Sequence, residues 1–357
     1  MTRLIMDRFG GDRSLAEAVQ EITLSGEDAL SILADPDAQP TADHLSALET
    51  IVVFDGTRPS FLLKENEIDF ASSYNTGDWQ EALKADLRGL ADYASCVGRV
   101  ELGEMHVGTA FLVAPTIALT NRHVAQEIAR FDAGQIEIRN GINLDFGREE
   151  WNGGKSYDRR SVDAVLFAGK DPIVKPIDHK KLDLAILRVS ASTLGGSEAQ
   201  RCRPLSDMTK AEFGDAGSVA AIGYPAKPDR YVPQELKSKF AVVLRQLLEG
   251  EGGAKRFAPG RPVTDGDQSN LADWTIMHDA STISGNSGSP VAVLGAGTVA
   301  TVGIHYGGSW DGDRVNWAHL LKLAADQTGY GAAPTFAEFC RAEGISTHQG
   351  GPGNETR

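Results

Sequence analysis

The sequence predicts an all-β protein, a sandwich or a pair of barrels, behind a mainly helical N-terminal extension. Two observations predict it. From Cys96 onward, about ten short apolar runs recur between turn residues. Before Cys96, apolar residues fall instead at three- and four-residue spacing, the period of an amphipathic helix.

In chain order, residues 14–33 ("SLAEAVQEITLSGEDALSIL") read as one or two helices. A second helical pattern follows "PTAD" at 40–43, with Thr41 or Asp43 as cap. In "IVVFDGTRPSFLL" at 51–63, two apolar runs flank Asp55-Gly56, a strand–turn–strand pattern. "DWQEALKADLRGLADYAS" at 78–95 returns to helix. Then come the strand-like runs "VGRVEL", "GTAFLVAP", "IALTNRHVA", "QIEIRN", "DAVLFAG", "LDLAILRVS", "GSVAAIGYP", "WTIMHDA", "SPVAVLG" and "TVATVGIHYGG". A helix is expected over "NWAHLLKLAADQ" at 316–327. The end, "THQGGPGNETR", has a disordered composition. The expected units are an extension at 1–95, a β domain at 96–330 and a tail at 331–357.

The 357 residues carry a formal net charge of -14. Such a surface repels phosphate backbones, so nucleic acid is not an expected partner. No apolar run approaches the ~20 residues that span a bilayer, and no membrane partner is expected. The charged start "MTRLIMDRFGGDRSLAEA" lacks the core of a signal peptide, which makes a cytoplasmic location the expectation. Cys96, Cys202 and Cys340 are far apart, without metal-ligand spacing, and no metal or cofactor is implied.

Three residues carry the chemistry. A hydroxyl becomes a nucleophile when a base takes its proton, and the base needs an orienting partner. Of eight histidines, His123 stands where an apolar strand ends and a helical turn begins. Asp183 sits between apolar neighbours in "LDLAILRV", where a carboxylate is costly to bury unless paired. A histidine N–H is a suitable partner. In "GNSGSPV", Ser287 lies between Gly285 and Gly288. Those glycines allow the Gly285 and Ser287 amides to turn inward towards a substrate oxyanion. Ser281, Ser284 and Ser289 lack this flanking pattern. His278 and Asp279 are neighbours, and in a strand they point to opposite faces, which favours structural roles.

The order His123, Asp183, Ser287 resembles that of the chymotrypsin-like serine peptidases. "GTAFLVAPTIALTNRHVA", "LDLAILRV", "AIGYPA", "GNSGSPV" and "VGIHYGG" match that family in order, over roughly residues 96–325. The pattern is most similar to the bacterial V8-like, or glutamyl endopeptidase, branch. The resemblance implies two antiparallel six-stranded β-barrels with the triad in the cleft between them. Barrel 1 would span about 96–200 and barrel 2 about 205–325, with a C-terminal helix. It implies a Ser287 nucleophile, a His123 base, an Asp183 orienter and an oxyanion hole from Gly285 and Ser287. Animal members carry Asp before the nucleophile to pair with a newly cut N-terminus. Asn286 stands here, so activation by that route is not expected.

The same resemblance places Ser281 and Thr282 in the pocket for the side chain before the cut. Ser281 is uncharged, which removes the warrant for Lys or Arg. Thr282 and His305 match the pair that binds an acidic side chain in the glutamyl branch, so cleavage after Glu or Asp is expected. Tyr306 and Gly308 lie on the strand edge that would pair with the substrate backbone. The expected partners are a protein or peptide substrate and a regulatory protein docking on the extension; by analogy, a bacterial defence or regulatory system is a possible setting. Two other readings share the pattern: an inactive peptidase-like scaffold, and an esterase on the same fold.

Overall fold

The computed structural model describes residues 58–71, 78–132, 135–149, 153, 155, 158–174, 177–192, 202, 204–226, 252–265, 268–295, 298–308, 315–345 and 347–348. The helices expected at 14–33 and after 40, and the turn at Asp55-Gly56, lie outside these residues.

The chain begins with the hairpin β1 (Phe61–Lys64) and β2 (Glu67–Ile68), followed by helices Trp79–Ala82 and Leu87–Ser95. Next come β3 (Val97–Leu102), β4 (Met105–Ala114), β5 (Ile117–Thr120) and helix Arg122–Ile128. They are followed by β6 (Ala129–Asp132), β7 (Gln135–Ile138), β8 (Ile142–Asp145), β9 (Arg159–Gly169) and β10 (Ala185–Val189). The third part holds β11 (Leu205–Ser206), helix Lys210–Gly214, β12 (Ser218–Gly223), β13 (Arg256–Gly260), β14 (Thr275–His278), β15 (Pro290–Gly295), β16 (Thr298–Gly308) and β17 (Asn316–Leu320). Helix Leu321–Ala324, β18 (Gly329–Gly331), helix Phe336–Ala342 and β19 (Thr347–His348) complete it.

Six strands close a barrel in the order β10-β5-β4-β3-β8-β9, because β9 pairs with β10 as well as β8. Their apolar runs are almost wholly buried; all four residues of β5 are. The β10–β5 ladder starts at Ala185↔Thr120. That register brings the residues before β10, Asp183 included, to the end of β5 where His123 follows. A second sheet runs β14-β17-β16-β15-β12-β13-β1-β2. Just past β13, Pro262 bridges back to His278, and the Val263 amide donates to the Met277 carbonyl at 2.9 Å.

The extension joins the second sheet and packs on the first barrel. β1 pairs with β13 at Phe61↔Phe257. Phe61, Leu63, Trp79, Leu83, Leu90 and Tyr93 belong to the same apolar cluster as the first barrel. A charged clasp fixes the β1–β2 turn. Glu65 and Asn66 have positive φ, and both amides donate to the buried Glu149 carboxylate at 2.7 and 2.8 Å. The buried Lys255 ammonium donates to Asn66 Oδ1, the Ala94 carbonyl and the Phe146 carbonyl at 2.8, 3.0 and 3.0 Å. Three oxygen acceptors offset the cost of taking that charge out of water.

Three expectations are corrected. The helix expected at 316–327 is strand over Asn316–Leu320, and helical only over Leu321–Ala324. β17 lies between β14 and β16, and a strand packed this way shows no clean alternation. The helix expected at 78–95 is two short helices. In the end read as disordered, Thr347 and His348 form β19 and pair with β11; ahead of it, Thr335 caps helix Phe336–Ala342 by accepting from the Glu338 amide, and Phe336, Phe339 and Cys340 are buried.

Candidate active site

Helix Arg122–Ile128 starts directly after β5, with Asn121 still extended at ψ 156. This puts His123 in the first helical turn, where amides lack helical acceptors. Asp183 supplies one. Its carboxylate accepts the His123 amide at 2.8 Å through Oδ1 and the His123 Nδ1–H at 2.6 Å through Oδ2. One carboxylate thus caps the helix and fixes the imidazole through Nδ1. Asn121 Nδ2 donates to the Asp183 carbonyl, and the Asp183 amide donates to His319 Nε2, both at 2.9 Å. Burial alone raises the Asp183 carboxyl; the His123 ring and amide outweigh it and hold the group below the ordinary carboxylate value.

The Ser287 turn is locked from both sheets. The Thr109 amide of β4 donates to the Ser287 carbonyl at 2.8 Å, and the Gly288 amide donates to the His305 carbonyl at 3.0 Å. Gly288 has φ +89, and a Cβ there would lie 2.0 Å from the Thr109 carbonyl oxygen. Only glycine fits that approach. A Cβ on Gly108 would sit 2.7 Å from Val124 and 3.2 Å from the Ser287 carbonyl oxygen. The neighbours of His123 and of Ser287 therefore meet across one glycine of β4. The Thr109 hydroxyl donates to the Gly285 carbonyl at 2.8 Å.

With this geometry in view, the comparisons are decisive. A model of the trypsin-like peptidase domain matches residues 108–304, more than half of the chain. The chain belongs to the trypsin-like peptidase family. It is 30% identical over 322 residues to a probable serine protease of Lysobacter enzymogenes, covering 82% of this chain and 77% of that one. The protein is a serine peptidase, a hydrolase. Among solved structures, it is similar to mouse neuropsin at 14% identity and TM-score 0.45, covering 65% of this chain and 92% of that one. An inactive form of a Mycobacterium tuberculosis protein matches at 16% identity and TM-score 0.39, covering 69% and 90%.

In this trypsin-like peptidase, Gly285 has φ +94, and a Cβ there would lie 2.6 Å from the Tyr224 carbonyl oxygen. Among the described residues, no backbone carbonyl takes the Gly285 or Ser287 amide. Asn286 is buried; its Nδ2 and its own amide both donate to the Ile283 carbonyl at 3.0 Å. That turn is held without an ion pair on residue 286.

Of the residues expected in the pocket, Ser281 and Thr282 have their hydroxyls already engaged. The Ser281 hydroxyl donates to the Arg58 carbonyl at 2.6 Å. The Thr282 hydroxyl donates to Asn316 Oδ1 at 2.5 Å, and Asn316 Nδ2 donates to the Ala280 carbonyl at 2.6 Å. His305 is buried, and its Nδ1 has no hydrogen-bond partner among the described residues. Burial pushes its imidazole well below the ordinary histidine value, and His278 and His123 push the same way. The His278 and His305 rings lie 5.6 Å apart. His278 forms no dyad with Asp279; burial lowers it to about 4, and the Asp279 carboxylate pairs with Arg58.

Tyr306 is buried, its hydroxyl 2.8 Å from His179 Nδ1 and its ring stacked on His319 at 4.3 Å. Gly307 and Gly308 pair with β17 on one edge. Among the described residues, no strand pairs with the other edge beyond Ile304. Sequence reasoning passed over Arg58, Asn121, Asn316 and His319. Only Asn121 carried a signal, as the residue between an apolar strand and its helix. Among the described residues, no group of three or more His, Cys, Asp or Glu is placed to hold a metal, and no helix is long and apolar enough to cross a membrane.

Proposed function

We propose that this serine peptidase cleaves peptide bonds with Ser287 as nucleophile, His123 as base and Asp183 as its orienter. The two-point Asp183–His123 contact carries the reading, because it fixes the tautomer in which Nε2 accepts a proton. Ser287 Oγ forms a bond to the scissile carbonyl carbon as its proton passes to His123 Nε2. The carbonyl oxygen takes the negative charge and the Gly285 and Ser287 amides stabilise it, an effect of about 3 kcal/mol per donor. Collapse breaks the C–N bond, and the imidazolium gives its proton to the leaving amine. Water, deprotonated by His123, then releases the acyl group. In this reading the second sheet acts as the second barrel, and the substrate backbone pairs along Tyr306–Gly308. A fluorophosphonate probe should label the wild type and not Ser287→Ala. Absent labelling of folded wild type would favour the scaffold reading, and turnover of simple esters without peptides would favour the esterase.

The pocket supports a second, finer reading: cleavage after Glu or Asp, as in the V8-like branch. Ser281, Thr282 and His305 line it in this proposal. The Thr282 proton is committed to Asn316, so the donor to an incoming carboxylate is His305. His305 is neutral when the pocket is empty, and a carboxylate beside it raises its affinity for a proton. Acidic side chains therefore bind with proton uptake. The ratio of kcat/KM for Glu over Gln peptides should rise as pH falls from about 8 to about 5, still above the substrate carboxyl's own value. One proton limits the slope to about tenfold per pH unit. His123 protonation cancels in the ratio. A flat or falling ratio would remove the acidic preference and leave the triad intact.

A further inference from the structure

Residues 58–60 of the N-terminal extension lie against Asp279 and Ser281, the wall of the pocket proposed above. Arg58 Nε and Nη2 donate to Asp279 Oδ1 and Oδ2 at 2.8 and 2.6 Å, a fork on a carboxylate. The Arg58 carbonyl accepts the Ser281 hydroxyl at 2.6 Å. Two residues on, the Ser60 carbonyl accepts from Arg256 Nη1 at 2.9 Å, and β1 then joins β13. The Arg58 guanidinium lies over the Trp79 ring at 5.7 Å. Residues 58–60 thus form a strap anchored at one end in the second sheet and at the other on Asp279 and Ser281.

The wall is held from its other side as well. The Arg261 amide donates to Asp279 Oδ1 at 2.6 Å. A Cβ on Gly260 would lie 2.5 Å from the Ala280 amide nitrogen, so β13 passes directly behind. Between these supports, Ala280 and Thr282 are tied to Asn316, and Ile283 follows, its carbonyl accepting from Asn286 of the Ser287 turn. The strap is the support furthest from the Ser287 turn in sequence and the nearest to Ser281.

We propose that Arg58 is a positioning residue for substrate selection: its fork on Asp279 and its carbonyl on Ser281 fix the wall that reads the side chain before the cut. This rests on Ser287 being the nucleophile and deepens it. The strap acts on the wall and not on the Ser287 turn, whose own bonds run to Thr109 and His305. It also links the pocket mechanically to whatever precedes residue 58. A partner pulling there would change selectivity before it changed the chemistry.

The test uses the full chain, two peptides that differ only in the residue before the cut, and a small fluorophosphonate that carries no such side chain. For Arg58→Ala, the ratio of kcat/KM for the preferred over the poor peptide should fall about tenfold, mainly through KM, the size of one lost charge-assisted contact. Fluorophosphonate labelling should stay within about twofold of wild type, since the strap contacts described run to Asp279, Ser281 and Arg256 and the bonds of the Ser287 turn run to Thr109 and His305. Arg58→Lys keeps the charge but not the fork and should recover part of the ratio. Asp279→Asn should match Arg58→Ala, and it decides the matter if Arg58→Ala does not fold. An unchanged ratio, or a ratio and labelling that fall together, overturns the proposal. Absent labelling of folded wild type sinks the nucleophile assignment instead, so the two failures are told apart.

Discussion

Ser287→Ala and His123→Ala should each lower kcat for peptide hydrolysis by about 10⁶-fold, and Asp183→Asn by about 10⁴-fold. The three should be far from additive, because the steps share one proton path; the triple variant should be no slower than Ser287→Ala within error. Each variant should keep its fold, with Asp183→Asn the most exposed to loss. That carboxylate also caps helix Arg122–Ile128, and losing a helix cap costs about 1 kcal/mol. Steady-state kinetics alongside thermal melts separate the two effects. A well-folded Ser287→Ala protein with near-native turnover would end the assignment.

The second large effect concerns the extension. A chain starting at Ala91 should show no cooperative unfolding transition and should aggregate. It loses Phe61, Leu63, Trp79, Leu83 and Leu90, all buried. At about 2 kcal/mol for each large apolar side chain, the loss approaches 10 kcal/mol, comparable with the whole stability of a typical domain. It also strips the Glu65 and Asn66 donors from the buried Glu149 carboxylate and one acceptor from Lys255. Residues 58–95 therefore act as a brace in our reading. A soluble fragment with a single sharp melt and faster turnover would show that they restrain activity instead.

Much of the candidate site is legible in the sequence, for physical reasons. Asp183 stands out because an acid among Leu182, Leu184 and Ala185 needs a partner, and the partner is a histidine at the end of the adjacent strand. Gly285 and Gly288 stand out because both have positive φ and both face backbone at close range. Strands β3, β4, β5, β10, β12 and β15 follow from alternating or continuous apolar runs. What the sequence hides is long-range. "RFAPG" carries a proline and a glycine, a turn signal, in five residues, yet it is β13, a strand flanked by β12 and β1. Asn316–Leu320 reads as helix because its apolar residues are followed by "LKLA". Arg58 shows nothing, since its meaning depends on Asp279, 221 residues away.

That separation has a consequence for how the protein is made. Ser60 and Arg256 bond across 196 residues, and β1 has no other long strand to join in the described structure. On the ribosome, at about 5–20 residues per second, β1 waits roughly 10–40 s for β13 to appear. Throughout that interval Phe61 and Leu62 lack their β13 partners, Phe257 and Arg256, while the first barrel emerges behind them. Its late capture makes β1 among the last of the described strands to be secured.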